Sequence, residues 1–359
     1  MPSTIRELAR HTGLSTATVS LALRGAGRIS AATRTRVKAA AEELDYQPLP
    51  LLSKALSLAR QPIADRYRET LAFITEFSLD DPSLDPYPTY QKELFVGADE
   101  RARALGYKIE SFPLNGGPKE HRRFARILRN RGIRGLIVIP RVTSSQPRLS
   151  FDWDHFAAVE IGRTLWYPRD LHHVETSDYN KMIEALHLLK KAGYRRIGMA
   201  IEPEQNKHQR GTYYAAYLVT QLRQPVRQRL PIASALGDWN EETFRSWIRQ
   251  HRPDVLVVHH EKEVSGWLKN LGMEVPRDIS LFCVNAQVPR LSGLCRDYRG
   301  IGSSAVEMIS LLLESGQLGM PDHPRCWQVD EFWQPGETLS RPIDGFLSPG
   351  GALLQPALR

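Results

Sequence analysis

The chain has 359 residues, enough for two or three domains around a sizeable core, with the composition of a globular protein and a net charge of +8. No apolar run approaches the roughly 20 residues needed to cross a bilayer and no leader precedes the first predicted helix, so a cytoplasmic protein with no membrane partner is expected. The charge is uneven: residues 1–68 hold 11 Lys/Arg against 5 Asp/Glu, which places +6 of it at the amino-terminal end and points to a polyanionic partner there.

The stretch Thr4 to Arg24, TIRELARHTGLSTATVSLALR, reads as two short helices joined by a tight turn. Thr4 and Glu7 have capping-box spacing, which opens a helix at Ile5. Gly13 supplies the backbone freedom of a sharp turn, and Ser15 caps a second helix over Thr16 to Leu23. Ala9, Gly13 and Val19 fall where a helix-turn-helix is sterically most demanding: a small residue at the helix contact, a turn residue and an apolar lock. Ile5, Leu8, Leu14 and Leu23 complete the small core. A third helix from cap Ser30 carries Val37, Ala41 and Leu44 at helical spacing. Together these predict a three-helix DNA-reading headpiece over residues 1–46.

TIRELARHTGLSTATVSLAL, followed by RISAATRTRVKAAAEELDYQP, resembles without a gap the amino-terminal signature of the lactose-repressor family of bacterial transcription regulators. The resemblance implies double-stranded operator DNA as partner. Its base-contacting positions fall on Thr16, Ala17 and Leu21, with Arg28 from the loop beyond. Thr16 can hydrogen-bond a base edge and Ala17 can touch a thymine methyl, whereas Leu21 departs from the polar residues common there. Thr4, Ser15, Ser20, Ser30 and Thr33 are placed near phosphates, with Ser15 and Ser30 equally suited to capping their helices.

Residues 47–68, QPLPLLSKALSLARQPIADRYR, form a proline-bounded linker. The resemblance implies a hinge helix that orders on operator DNA and wedges a leucine into the minor groove; Leu56 fits that role best and Leu52 is the reserve.

From Thr70 onward apolar runs at 71–75, 135–140, 157–162, 197–201, 255–259 and 279–284 alternate with helical stretches near 90–105, 119–131, 179–192, 209–223, 240–250, 261–271 and 303–315. This alternation indicates an α/β core of parallel sheets covered on both faces, over residues 69–340. The stretches KKAGYRRIG, PRDISLFCVN and IGSSAVEMISLLL extend the resemblance and imply a periplasmic-binding-protein type I core of two Rossmann-like lobes. Residues 341–359 have loop composition and are expected to be a flexible tail.

The family holds its effector between the lobes. Arg210 matches its R-x-x-G-[FY] arginine, although Tyr213 replaces the glycine, and Arg163 matches another common pocket arginine. Trp239, in Gly237-Asp238-Trp239, is suited to stacking on a sugar ring. Asn285 stands where an aspartate is usual, and His259-His260 replaces an Asn-Asp pair. These positions imply a small-molecule effector, a carbohydrate by family habit.

Enzyme chemistry finds no support. His259-His260-Glu261, His172-His173 and Asp80-Asp81 have no partner visible in the sequence, and there is no P-loop, G-x-S-x-G or H-E-x-x-H. Cys283, Cys295 and Cys326 lack metal-ligand spacing and fit free thiols, so no metal or cofactor is expected. The expected protein is a homodimeric, effector-controlled regulator, a repressor, on a pseudo-palindromic operator. Two alternatives stay open: a core answering to a non-sugar metabolite or a protein partner, and a solute-binding protein with an incidental helical amino terminus.

Overall fold

In the computed structural model, residues 5–23, 29–44, 46, 69–80, 87–139, 147–235 and 238–343 are described. The chain divides into two units, Met1–Tyr67 and Arg68–Arg359.

The first unit contains α1 (Ile5–Thr12), α2 (Thr16–Leu23) and α3 (Ala31–Glu43). Their junction buries Leu8, Ala9, Val19, Ala22, Val37 and Ala40, with Ile5, Leu14, Leu23 and Leu44 packed around it. Gly13 has φ +64, and a Cβ there would meet nothing within 4 Å, so glycine serves the left-handed turn rather than a tight space.

The second unit holds two sheets. The first lobe comprises β1 (Thr70–Thr75), α4 (Tyr87–Ala104), β2 (Lys108–Pro113), α5 (Pro118–Asn130), β3 (Gly135–Val138), β4 (Ala157–Ile161) and β5 (His172–Thr176). The second comprises α6 (Asp178–Lys191), β6 (Ile197–Met199), α7 (Pro203–His208), α8 (Thr212–Leu222), α9 (Glu241–His251), β7 (Val255–Val258), α10 (Glu261–Asn270), β8 (Ser280–Cys283) and β9 (Gly293–Cys295). The chain then returns to the first lobe with α11 (Tyr298–Glu314) and β10 (Cys326–Val329), and ends in the second with β11 (Phe332–Gln334). Strand order is β10-β5-β4-β3-β1-β2 in one sheet and β11-β9-β8-β7-β6 in the other. All pairs are parallel except β11 with β9.

Alternation along each strand feeds two cores. Leu71, Phe73, Ile137 and Val159 face α4 and α11, while Ala72, Ile74, Leu136 and Val138 face α5 and the Trp153–Phe156 turn. In the second lobe Val255, Val257 and Phe282 pack toward α6 and α8, and Leu256, Val258 and Leu281 toward α9 and α10. Helices α4 and α11 touch through glycine: a Cβ on Gly302 would lie 2.0 Å from the Leu94 carbonyl oxygen.

Each of the six apolar runs becomes a parallel strand, whereas β2, β5, β9, β10 and β11 carry no such run. β2 is an edge strand with alternating exposure, β9 has three residues, and β5 reads HHVET, its two buried histidines partnered by main-chain groups of Arg325 and Leu171. The helix expected over 209–223 is α8, Thr212–Leu222, and the short α7, Pro203–His208, precedes it, the two set apart where Arg210 and Gly211 take φ of +52 and +80. The packed chain also runs past the expected start of the tail: Ile343 is buried, and the Arg341 N–H donates to Tyr194 Oη at 3.0 Å. The rest of the tail, 344–359, lies outside the described residues, as do Leu52, Leu56 and the hinge helix assigned to 47–68.

Candidate nucleic-acid interface and inter-lobe site

In the headpiece the turn is closed by Gly13 N–H to Arg10 O (3.3 Å) and Leu14 N–H to Ala9 O (3.0 Å). Ser15 Oγ accepts from Thr18 N–H at 3.1 Å and Ser30 Oγ from Thr33 N–H at 3.2 Å, so both serines cap their helices. Ser15, Thr16 and Ser30 are exposed, and Ser20, Leu21 and Thr33 are half-buried. With Val19 and Ala22 buried, α2 is held by one face, and its amino-terminal turn presents Ser15 and Thr16 outward. Ala17 lies on the first turn of α2, its side chain outside the described set; Thr4 and Arg28 lie outside it altogether.

In the second unit the chain passes between lobes three times: between β5 and α6, between β9 and α11, and between β10 and β11. One ion cluster ties the three passages together. Arg296 donates through Nε to Glu331 Oε1 (2.8 Å) and through Nη2 to Asp178 Oδ1 (2.8 Å) and Tyr213 Oη (2.7 Å). The side chains of Arg296, Asp178 and Glu331 are 12%, 9% and 2% exposed. Two carboxylates share one guanidinium, and burial pushes Glu331 up to about 7 against the opposing pull of Arg296.

His259 is buried against Tyr213, ring centroids 5.8 Å apart, and next to His260 at 4.3 Å. Burial holds His259 well below its ordinary range, hence neutral, and neither ring nitrogen has a hydrogen-bond partner among the described residues. Asn285 Oδ1 accepts from Tyr298 Oη (3.2 Å) and Gln287 Nε2 (3.0 Å). Arg210 Nε donates to the Arg163 carbonyl at 2.8 Å, which joins those two residues across the lobes. Beneath them Glu160 accepts from Leu165 N–H at 2.8 Å, and burial raises its carboxyl to about 7. Trp239 packs with Trp267 and Phe244 at centroid distances of 5.0 and 6.5 Å, and its Nε1–H donates to Glu263 at 2.7 Å.

The structure thus brings Arg163 to Arg210, and His259 to Tyr213 and through it to Arg296. Sequence reasoning missed Arg296, Asp178 and Glu331. Asp178 opens α6, Arg296 follows β9 and Glu331 follows β10, so they lie far apart in the chain, and only the threefold passage of the chain between lobes unites them. The sequence signals at this spot are the two departures that meet there, Tyr213 in place of glycine and His259 in place of asparagine.

The family model described as bacterial regulatory proteins, lacI family, matches residues 4–48, and that of the periplasmic binding protein-like domain matches residues 186–325. The HTH-type transcriptional repressor CytR of Escherichia coli K12 is 26% identical over 298 residues, covering 78% of this chain and 79% of that one. The HTH-type transcriptional regulator RegA of Clostridium saccharobutylicum is 22% identical over 340 residues, 90% of this chain and 96% of the relative. Among solved structures, a lac repressor dimer bound to operator and the anti-inducer ONPF shares the fold with a TM-score of 0.51 at 18% identity, over 95% of this chain and 100% of that one. A lacI-family regulator from Rhizobium etli gives a TM-score of 0.56 at 16% identity, over 75% of this chain and 98% of that one. No helix among the described residues is long and apolar enough to cross a membrane. With this headpiece joined to this two-lobed core, the chain belongs to the lacI family of bacterial regulatory proteins and is a DNA-binding transcriptional regulator.

Proposed function

We propose that the protein is a repressor that binds a pseudo-palindromic operator as a homodimer and changes its DNA affinity when a small molecule, a sugar, binds between the lobes of the core. The observation that carries the reading is the headpiece geometry, with α2 anchored by Val19 and Ala22 while Ser15 and Thr16 stay exposed at its amino-terminal turn. A helix so presented can enter the major groove end-on. Thr16, Ala17, Leu21 and Arg28 would meet bases, and Thr4, Ser15, Ser20, Ser30 and Thr33 phosphates; Leu56 would wedge into the minor groove. Support for a dimer comes from Leu218 and Leu222, one turn apart on α8 and 49% and 66% exposed, with Val226 at 76% just beyond. Two headpieces would supply the contact area that one small headpiece lacks.

Arg163, Arg210, Trp239, His259 and Asn285 are the proposed effector contacts. A neutral His259 with two unpartnered ring nitrogens offers one donor and one acceptor, which suits an uncharged polyhydroxy ligand. The structure of a related regulator, CelR, is a cellobiose complex, similar in fold with a TM-score of 0.51 at 17% identity over 94% of this chain and 99% of that one.

A second reading, a core that answers to a non-sugar metabolite or a protein partner, is favoured by how fully these groups engage one another. Tyr213 and Arg296 are bonded together beside His259, and Arg210 is bonded to Arg163. A thermal-shift screen of the full chain against sugars, sugar acids and purines separates the two readings, since a ligand that binds only the folded state raises Tm. A sugar hit abolished in Arg210→Ala supports the first, and silence across the sugars supports the second. The DNA assignment is tested by unbiased oligonucleotide selection with Thr16→Ala, which should alter the preferred sequence; an unchanged preference would remove α2 as the reading helix.

A further inference from the structure

Strands β5 and β10 run parallel at the edge of the first sheet, with Cys326 opposite His173 and Gln328 opposite Glu175. Side chains two apart on a strand share a face, so His173 and Glu175 project together and the pairing sets Cys326 beside them. The other face of these strands is committed to the core through Val174, Trp327 and Val329. Cys326 Sγ lies 3.5 Å from Glu175 Oε1, and one ligand atom from each of His173, Glu175 and Cys326 lies within 4.8 Å of the other two. His173 is buried, with Nδ1 3.3 Å from the Leu171 carbonyl oxygen. A ring that gives its Nδ1 proton to a main-chain carbonyl keeps the Nε2 lone pair for a metal, the usual outer-shell arrangement of a ligating histidine.

We propose that His173, Glu175 and Cys326 form a binding site for a zinc-class divalent cation. Thiolate, imidazole and carboxylate are the donor set such an ion prefers, and the thiolate excludes the hard ions Mg²⁺ and Ca²⁺. Bonds of about 2.3 Å to sulfur and about 2.1 Å to oxygen at the tetrahedral angle separate the two donors by about 3.6 Å. The observed 3.5 Å already matches that spacing. Binding releases the Cys326 thiol proton to solvent, and the thiolate and carboxylate then balance the two positive charges of the ion. Arg163, within electrostatic reach of His173 and Cys326, therefore faces a neutral complex. A water or small anion completes the fourth position on the exposed side of Cys326.

The sequence could not show this site, because His173 and Cys326 are brought together only by strand pairing. Its location gives it a consequence beyond effector control. β5 ends two residues before Asp178 and β10 two before Glu331, the carboxylates that hold Arg296. An ion clamping β5 to β10 stiffens two of the three passages between the lobes and gives the core an inorganic input.

The test titrates full-length, reduced, chelator-treated protein with Zn²⁺ alone against a chromophoric chelator, and repeats it with Co²⁺ to read the thiolate-to-cobalt charge-transfer band. One ion per chain is expected, with the cobalt band present. Affinity should fall by more than about tenfold in Cys326→Ser and in Glu175→Gln, with the band lost in Cys326→Ser, while His323→Ala, an exposed histidine just before β10, binds as the parent does. Absence of stoichiometric zinc binding, or affinity unchanged in both ligand variants, overturns the proposal. Both ligand variants sit on partly exposed strand positions, and Glu175→Gln keeps side-chain size, so it reads the site even where the serine variant folds poorly.

Discussion

Arg296 meets Asp178 through a 2.8 Å Nη2 to Oδ1 bond although 118 residues separate them in the chain. The bond joins the second passage between the lobes to the first, and Glu331 joins the third to both. Removing the guanidinium leaves two buried carboxylates without their cation, a loss on the order of 3–5 kcal/mol. Arg296→Met should therefore lower unfolding free energy by about that amount in urea titrations. The triple variant Arg296→Met, Asp178→Asn, Glu331→Gln should recover part of it, because no unpaired charge remains. Equal losses in the single and triple variants would show that the cluster acts by packing and not by charge.

Glu160 gives the fold a pH dependence of definite sign. Its carboxyl is raised from 4.5 to about 7, chiefly by burial. Between those values the folded state holds the proton more tightly than the unfolded chain, so stability is fully present below about 4.5 and falls as pH rises through about 7. The shift amounts to roughly 3 kcal/mol at most. Glu160→Gln keeps an acceptor for the Leu165 N–H and removes the titration. Relative to the parent it should gain about 1–3 kcal/mol in urea unfolding between about pH 5 and about pH 8. Parallel profiles for the two proteins would place the titration elsewhere.

The sequence shows most clearly those elements whose residues do one job. Runs such as Val255 to Val258 are apolar throughout because both faces of the strand are buried, and Ser30 reads as a cap because its Oγ needs only the next turn of its own helix. β5 is obscure for the opposite reason: His172 and His173 are buried polar groups on a strand, His172 accepting from the Arg325 N–H at 3.0 Å and His173 lying 3.3 Å from the Leu171 carbonyl oxygen, partners that the strand's own sequence does not show. Arg296 is obscure because its meaning depends on Asp178 and Glu331, and those contacts exist only once both lobes have formed. Trp239 is visible in Gly237-Asp238-Trp239, whereas its packing on Trp267 and its bond to Glu263 are not, because both partners come from α10.

Two glycines in helices should respond to alanine with opposite signs. At Gly302 a Cβ would lie 2.0 Å from Leu94 O, and backbone cannot yield without parting α4 from α11. At Gly266, in α10, it would meet nothing within 4 Å. Gly266→Ala should stabilise by about 0.5–1 kcal/mol through helix propensity alone. Gly302→Ala should cost about 1–3 kcal/mol despite the same propensity gain, because overpacking outweighs it. The midpoints of urea unfolding decide, and shifts of the same sign would mean that the α4–α11 contact is not tight.

Gly13 carries the corresponding prediction for the headpiece. Its φ of +64 lies where a side chain costs about 1–2 kcal/mol even with open space around it. The headpiece core is small, with six buried apolar side chains among the described residues, so a loss of that size is a large fraction of local stability. Gly13→Ala should raise hydrogen exchange at the α1 and α2 amides of the full-length protein roughly 5- to 30-fold while leaving the α6 amides unchanged. Gly13→Asn should fall between parent and alanine, since asparagine tolerates the left-handed region better than other side chains. Exchange in α1 and α2 that matched the parent in both variants would mean the turn can relax to a negative φ, and glycine would then not be what shapes this helix pair.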